Sequence, residues 1–387
     1  MLSRREFLAV GAVPLAAASG ADPGVGVFPL SDARERNARQ ARGAVRVGLI
    51  GAGANVQEVQ IPGFRRIPGC EIVAVANRSL SSSQGVADAF GIPRAYAHWG
   101  ELLEDEDVDA VLIGTWPYMH RTITLAALEH GKHVLCQARM ANTASEAREM
   151  LDASQRYPDL ICQLVPTSTS YTIDNVLKGM IDEGYLGEVL SVEIQRVGRG
   201  FPDFGGELDW RHDIEFSGFN ALNIGSTYES MMRWFGRGNR VMAMSKVHVP
   251  FRRNASGTLT SVSIPDHFNI LYELSNGAQV HMRMSETSGL SSGNQTWIHG
   301  TNGTIFVDDR QNVHGGKRGD TELRGIPNPP EGRAGSRVEA EFVRAIRGLE
   351  PVTMNTFEIG VHYMEWTEAV HRSASNGHAV HLPLQAV

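Results

Sequence analysis

Apolar and polar positions change period along this chain, and the change divides it. From Val45 onward, short β-branched runs alternate with stretches of helical spacing. The runs are Val45–Ile50, then "EIVAVANRS", "DVDAVLIGTWPYMH" and "HVLCQARMA". Between them lie "RTITLAALEHGK", an amphipathic helix closed by a glycine, and "TASEAREMLDASQRY", another with Thr143 as its N-cap. Buried strands alternating with helices of this length predict a doubly wound parallel sheet. Beyond about Val165 the pattern changes. "YTIDNVLKGMIDEGYLGEVLSVEIQRVG" reads as helix, turn and strand, and shorter alternating strands follow. "HFNILYELSNGAQVHMRMSE" predicts a hairpin with a type I′ turn at Asn276-Gly277, and "TWIHGTNGTIFVDD" predicts another. "SRVEAEFVRAIRG" and "TFEIGVHYMEWTEAVHRSASNG" read as closing amphipathic helices whose apolar residues belong to the core. The expected fold class is α/β: an N-terminal Rossmann-type sheet, then an α+β domain with an open, mostly antiparallel sheet.

The N-terminus follows neither pattern. Arg4 and Arg5 precede Phe7, Leu8 and an apolar run ending in Ala16-Ala17-Ala18. This is too short for a membrane span, which needs about 20 apolar residues. It has the form of a twin-arginine export signal over residues 1–21, implying a periplasmic or extracellular protein with no membrane attachment once the signal is removed. Residues 22–43 are polar and rich in Pro and Gly, and read as an arm or linker. The expected domains are therefore a dinucleotide domain over 44–164 and a substrate-binding and oligomerisation domain over 165–387. In 387 residues the formal net charge is −7, which gives no reason to expect a nucleic-acid partner. Three scattered cysteines make neither a disulfide framework nor a metal cluster, and no metal site is expected.

Candidate chemistry begins at the end of the first strand. Gly51-Ala52-Gly53 permits a tight turn and close backbone approach to a pyrophosphate at a helix N-terminus. Gly51, Gly53, Ala54, Asn55 and Val56 form that loop, although Val56 stands where the fingerprint has its third glycine. The second strand ends in Asn77-Arg78-Ser79 rather than an acid that would bind a ribose 2′-hydroxyl. Arginine beside a hydroxyl suits a 2′-phosphate, so NADP is the expected cofactor, with NAD the alternative. Ligands of such sheets bind beyond the carboxyl ends of the strands. That places Thr115, Trp116, Pro117, His120, Gln137, Ala138 and Arg139 at the cofactor.

The glycine strand, "TWPYMHRTITLAALEHGKHVLC" and the sequence after it resemble the glucose–fructose oxidoreductase / inositol dehydrogenase (Gfo/Idh/MocA) family over nearly the whole chain beyond the arm. The resemblance implies a nicotinamide-dependent oxidoreductase acting on a sugar or sugar derivative, and a homodimer or homotetramer built on the second domain's sheet. The family's fourth strand usually runs into Glu-Lys-Pro, whose lysine helps to move the substrate's hydroxyl proton. Here those positions are Gln137, Ala138 and Arg139. Alanine cannot titrate, and arginine, always protonated, polarises an oxygen but shuttles protons poorly. The family's helix reading roughly Asp-x-Gly-x-His-x-x-Asp aligns its proton-handling residues with Asn223, Thr227 and Ser230, all neutral.

Other side chains crowd the same region. His212, Tyr228 and His120 are candidate proton carriers, and Asp213 could orient an imidazole. Trp210 offers a face for a sugar ring. Arg211, Arg139, Glu215, Asn223, Thr227 and Glu229 complete a candidate substrate site. Three activities fit: a sugar oxidoreductase with relocated acid–base groups, a redox-neutral glycoside hydrolase or lyase working through bound NAD(P) or through carboxylates such as Asp213, Glu215 and Glu229, and a non-catalytic sugar-binding protein.

Overall fold

The computed structural model of the protein describes residues 44–167, 171–329 and 336–385. The export signal and the arm fall outside the described residues. The chain divides into two compact units. One comprises residues 44–137, 152–165 and 337–356; the other comprises 138–151, 166–336 and 357–385, within the described residues. A single cut near residue 165 misses this exchange, because residues 138–151 belong to the second unit and residues 337–356 return to the first.

The first unit is built on six strands: β1 (Val45–Ile50), β2 (Cys70–Ala76), β3 (Arg94–Tyr96), β4 (Ala110–Ile113), β5 (His133–Cys136) and β6 (Cys162–Leu164). Their order is β3-β2-β1-β4-β5-β6, and every pairing is parallel. The chain thus reverses its direction of winding between β1 and β4, and the crevice there opens beyond the strands' carboxyl ends. Both faces of the sheet are covered, so β4 and β5 are buried throughout. Val47, Leu49, Val75 and Leu112 share one core with Phe342 and Ile346 of the helix Val338–Ile346. That helix, expected in the second domain, closes the first unit instead. Helical spacing in the sequence shows that it has an apolar face but not which sheet the face covers.

The second unit centres on a sheet of nine strands, from β7 (Val189–Val197) to β17 (Val380–His381). Within it β11 (His267–Leu274) pairs antiparallel with β8 (Gly238–Lys246) and with β12 (Gln279–Ser285), while β12 pairs parallel with β7. Its inward positions, among them Val241, Phe268, Ile270, Val280 and Ile194, are buried. Met242, Met244 and Leu271 on the opposite face are exposed. At the β11–β12 turn Gly277 has φ +86, whereas Asn276 does not take a positive φ. A type I′ turn needs both. Leu274 closes the loop instead, donating to the Ala278 carbonyl and accepting from Gly277 N–H, so the turn spans one residue more than predicted.

The helix Phe357–Asn376 packs its buried side on this sheet. The Trp366 indole stacks on Tyr228 at 4.3 Å between centroids, and Tyr272 meets both rings edge-on. On the same helix, the His371 ring lies between Phe219 and Phe268. Burial pushes this imidazole down to about 4 from its ordinary 6.5. Its pKa is lower in the folded chain than in the unfolded one, so between those values the unfolded chain binds the extra proton and folding stability falls as pH falls. Thermal unfolding should therefore show a loss of stability between pH 6.5 and about 4 that is smaller in His371→Gln, and an unchanged pH slope in the variant would refute this assignment.

Candidate functional site

Each unit carries a cluster of candidate site residues, and the two are built differently. In the first unit the turn after β1 is forced by close contacts. Gly51 has φ +85, and a Cβ on it would lie 2.6 Å from Thr115 N. A Cβ on Gly114 would lie 2.4 Å from a Val56 methyl. The close packing that the third glycine of the fingerprint usually permits is thus obtained here at Gly114, which explains how Val56 can be buried at that position.

Asn77 holds the loop. Its Oδ1 accepts from Ala52 N–H at 2.7 Å, and its Nδ2 donates to the Ser82 carbonyl. The expected ribose contact is therefore a brace for the glycine turn. Gly53, Ala54 and Asn55 are exposed, nothing lies within 4 Å of a Cβ built on Gly53, and Gly53 N–H donates to the Gly51 carbonyl at 3.0 Å, so the loop amides beyond that bond are those of Ala54 and Asn55. Thr115 Oγ1 and Gln137 Nε2 are buried and have no hydrogen-bond partner. Exposed loop amides and two unsatisfied polar atoms beyond the strands' carboxyl ends fit a dinucleotide phosphate and its neighbouring groups. Arg78 is exposed at the end of β2, while the Ser79 hydroxyl caps the helix Leu80–Phe90.

Trp116 and Pro117 follow Thr115, with Pro117 buried in a short helical turn. His120 is wholly buried, and its Nε2 lies 2.9 Å from the Thr115 carbonyl. That nitrogen must carry the proton to bond a carbonyl, so it cannot accept one. His120 thereby shapes the turn through Nε2.

In the second unit Arg139 is buried. Its Nη2 donates to Asn223 Oδ1 at 2.9 Å and lies 3.4 Å from the Asn220 carbonyl. Burial, then the nearby Arg211 charge, lowers the guanidinium to about 10, so it remains charged at neutral pH. Met140 N–H donates to the Tyr363 hydroxyl at 2.5 Å. Asn223 sits at φ 57 and Leu222 at φ 51, immediately before the helix Ile224–Phe235. A left-handed leucine is uncommon and costs on the order of 1–3 kcal/mol unless its surroundings impose it. Asn142 Nδ2 donates to the Glu215 carbonyl at 3.0 Å, and a Cβ on Gly218 would lie 2.4 Å from the Asn142 carbonyl. The loop 210–220 is thereby held against residues 139–142. Ala138, between the two polar neighbours, contributes no titratable group.

Several other expectations fail for reasons of packing. Tyr228 is 1% exposed, its hydroxyl accepts from Gly238 N–H, and burial raises it to about 12, so it is a core residue and not a base. His212 Nδ1 accepts from Asp209 N–H, and its Nε2 faces the Glu286 carboxylate at 3.6 Å. With Nδ1 accepting, Nε2 carries the proton, so the ring has no lone pair free for catalysis. Asp213 caps the helical turn Ile214–Ser217 through Oδ1. Glu229 accepts from Thr167 N–H and pairs with Arg233. Thr227 bonds back to the Asn223 carbonyl. Glu215 is exposed, and only its backbone carbonyl is drawn into the cluster. One face of Trp210 is covered by the Arg211 guanidinium at 4.4 Å, leaving less of the ring for a sugar. With Asp213 and Glu229 so engaged, the suggested hydrolytic carboxylates do not form a free pair.

The structure brings together Arg139, Arg211 and Asn223, and adds Asn142, Asn220 and Tyr363, which the sequence reading missed. Tyr363 lies on a helix whose spacing marks it as core, and it is indeed only 2% exposed. Nothing in the local sequence shows that its hydroxyl meets a backbone amide 223 residues away.

Residues 45–163 match the "Oxidoreductase family, NAD-binding Rossmann fold", and residues 175–306 match the "GFO/IDH/MocA C-terminal domain". Among curated proteins, the chain is 27% identical to levoglucosan dehydrogenase of Pseudarthrobacter phenanthrenivorans over 290 residues, covering 68% of this chain and 73% of the relative. It is 34% identical to 1,5-anhydro-D-fructose reductase of Ensifer adhaerens over 154 residues, 38% of this chain and 44% of that enzyme. A solved levoglucosan dehydrogenase, in complex with NADH and L-sorbose, superposes with a TM-score of 0.78 at 22% identity, over 88% of this chain and 99% of the other. The two domain matches together cover well over half of the sequence, and the chain belongs to the Gfo/Idh/MocA oxidoreductase family.

Proposed function

We propose that this chain is an NADP-using oxidoreductase acting on a sugar or sugar derivative, with its acid–base groups displaced from the family's usual lysine and histidine. The observation that carries the reading is the pairing of buried Arg139 with Asn223 at 2.9 Å, beside the Met140–Tyr363 hydrogen bond. The sugar is inferred from the relatives, which include a levoglucosan dehydrogenase and an anhydrofructose reductase.

A bound nicotinamide supplies the hydride acceptor or donor. The chain's own residues supply binding and proton control. Loop amides at Ala54 and Asn55 would hold the phosphates, and Asn77 keeps the loop in shape. Arg139 donates a hydrogen bond to a substrate oxygen but releases no proton. Tyr363 accepts from Met140 N–H and so fixes the peptide that follows Arg139.

Support for NADP comes from Arg78. It is exposed at the end of β2, and no carboxylate stands there to repel a 2′-phosphate. Equilibrium titration should show NADP binding more tightly than NAD. Arg78→Ala should lower NADP affinity about tenfold or more and leave NAD nearly unchanged. Equal losses for both nucleotides would refute the 2′-phosphate assignment. Absence of any nucleotide binding would remove the oxidoreductase reading itself and leave a sugar-binding protein.

Export by the twin-arginine route belongs to the same proposal and is supported by Arg4, Arg5 and the apolar run after them. Replacing both arginines by lysine should hold the full chain in the cytoplasm, as read by cell fractionation, and continued export would refute the assignment.

A further inference from the structure

We propose that Arg252 and Glu286, steadied by His212, form a subsite for two adjacent hydroxyls, so that the substrate is an uncharged sugar. This deepens the sugar oxidoreductase reading and rests on it for the word sugar. The subsite itself rests on residues of the second unit alone.

Arg252 lies in the short hairpin of strands Phe251–Arg253 and Leu259–Ser261. Its neighbours Phe251 and Arg253 are exposed, and Arg252 turns to the other face. The loop before Trp210 runs along this hairpin. Leu208 N–H donates to the Arg253 carbonyl at 2.7 Å, and Arg253 N–H donates to the Gly206 carbonyl at 3.0 Å. A glycine stands where the guanidinium passes: a Cβ on Gly206 would lie 3.0 Å from Arg252 Nη1 and 2.8 Å from Asp203 Oδ2. Arg252 Nε is buried and has no hydrogen-bond partner. A buried donor left unused is costly, and a ligand oxygen removes that cost.

Glu286 supplies the acceptors. Its side chain is about half exposed, and its carboxylate faces His212 Nε2 at 3.6 Å. His212 Nδ1 accepts from Asp209 N–H at 3.2 Å, so the ring's proton sits on Nε2 and points to Glu286. That hydrogen bond, with the Arg252 charge adding to it, holds Glu286 below its ordinary value. The group is therefore ionised at neutral pH. An ionised carboxylate has about four acceptor positions, and His212 takes one.

A sugar hydroxyl both donates and accepts. Two adjacent hydroxyls fit the two groups, one donating to Glu286 and the other accepting from Arg252. The surrounding charge argues against a sugar acid. Asp203 lies beside Arg252, while Asp209 acts on Glu286 and lies 3.7 Å from Arg211. Three carboxylates thus face two guanidinium groups, and His212 is neutral in this tautomer. A further carboxylate would add to that excess, whereas hydroxyls leave it unchanged.

The test is calorimetric titration of the full-length protein, without added nucleotide. The ligands are D-glucose, levoglucosan, D-glucuronate and the 2-, 3- and 4-deoxy analogues of D-glucose. A neutral sugar should bind about tenfold or more tightly than D-glucuronate. Two analogues lacking neighbouring hydroxyls should bind about tenfold more weakly than D-glucose. In Arg252→Ala and in Glu286→Gln, D-glucose should lose about tenfold in affinity, and one of those two analogues should then bind as well as D-glucose. A residue that only shaped the loop would weaken every sugar alike.

Glu286→Gln keeps an acceptor for His212 at a half-exposed position, so it gives a reading even where Arg252→Ala disturbs the hairpin. D-glucuronate binding as tightly as the neutral sugars, an equal loss for all ligands in Glu286→Gln, or no binding of either neutral sugar would overturn the proposal. Since no nucleotide enters this measurement, its failure is separable from failure of the oxidoreductase reading, which the NADP titration decides.

Discussion

A buried guanidinium sets the terms for the second unit. Arg139 cannot shed its charge at neutral pH, so the chain around it is arranged to supply oxygens. Asn223 is held left-handed before its helix and presents a side-chain oxygen at 2.9 Å, and Asn220 contributes its carbonyl. Tyr363 fixes the next peptide through Met140 N–H. The loop 210–220 is then held down by Asn142 and Gly218. Each of these bonds joins segments distant in sequence, so the cluster exists only in the folded unit.

The first unit follows a different logic. Its site is made by removing side chains where backbone must approach backbone. Gly51 and Gly114 leave no room for a Cβ, and the Asn77 side chain supplies the hydrogen bond that the turn leaves open at Ala52. Because the backbone makes the cradle, it tolerates Val56 at the third fingerprint position provided that Gly114 yields the space. The second unit's cluster is assembled from side chains, whereas the first unit's turn is shaped by their absence.

These differences explain why the two sites were unequally legible in the sequence. Thr115 and Gln137 lie beyond the strands' carboxyl ends, because parallel topology puts every such position at one edge. The polar residues of the second unit obey no such rule. His212, Tyr228, Asp213 and Glu229 are all of chemical type, and each is consumed by a local structural bond: to Asp209 N–H, Gly238 N–H, Glu215 N–H, and Thr167 N–H with Arg233. The missing lysine and the neutral Asn223 and Thr227 are visible in the sequence, but the bond between Arg139 and Asn223 is not.

The sequence by itself determined the parallel sheet, the glycine turn, the late sheet of alternating strands and the family, because these depend on the period of apolar residues and on glycines at fixed offsets. Tertiary structure decided which of two helical tyrosines meets the charged cluster. Tyr228 and Tyr363 both lie on apolar helix faces, yet one hydroxyl reaches an amide ten residues away and the other reaches an amide 223 residues away. It also decided that the helix Val338–Ile346 covers the first unit's sheet. Periodicity tells how a segment buries one face, but a buried hydrogen bond between distant segments leaves no period to read.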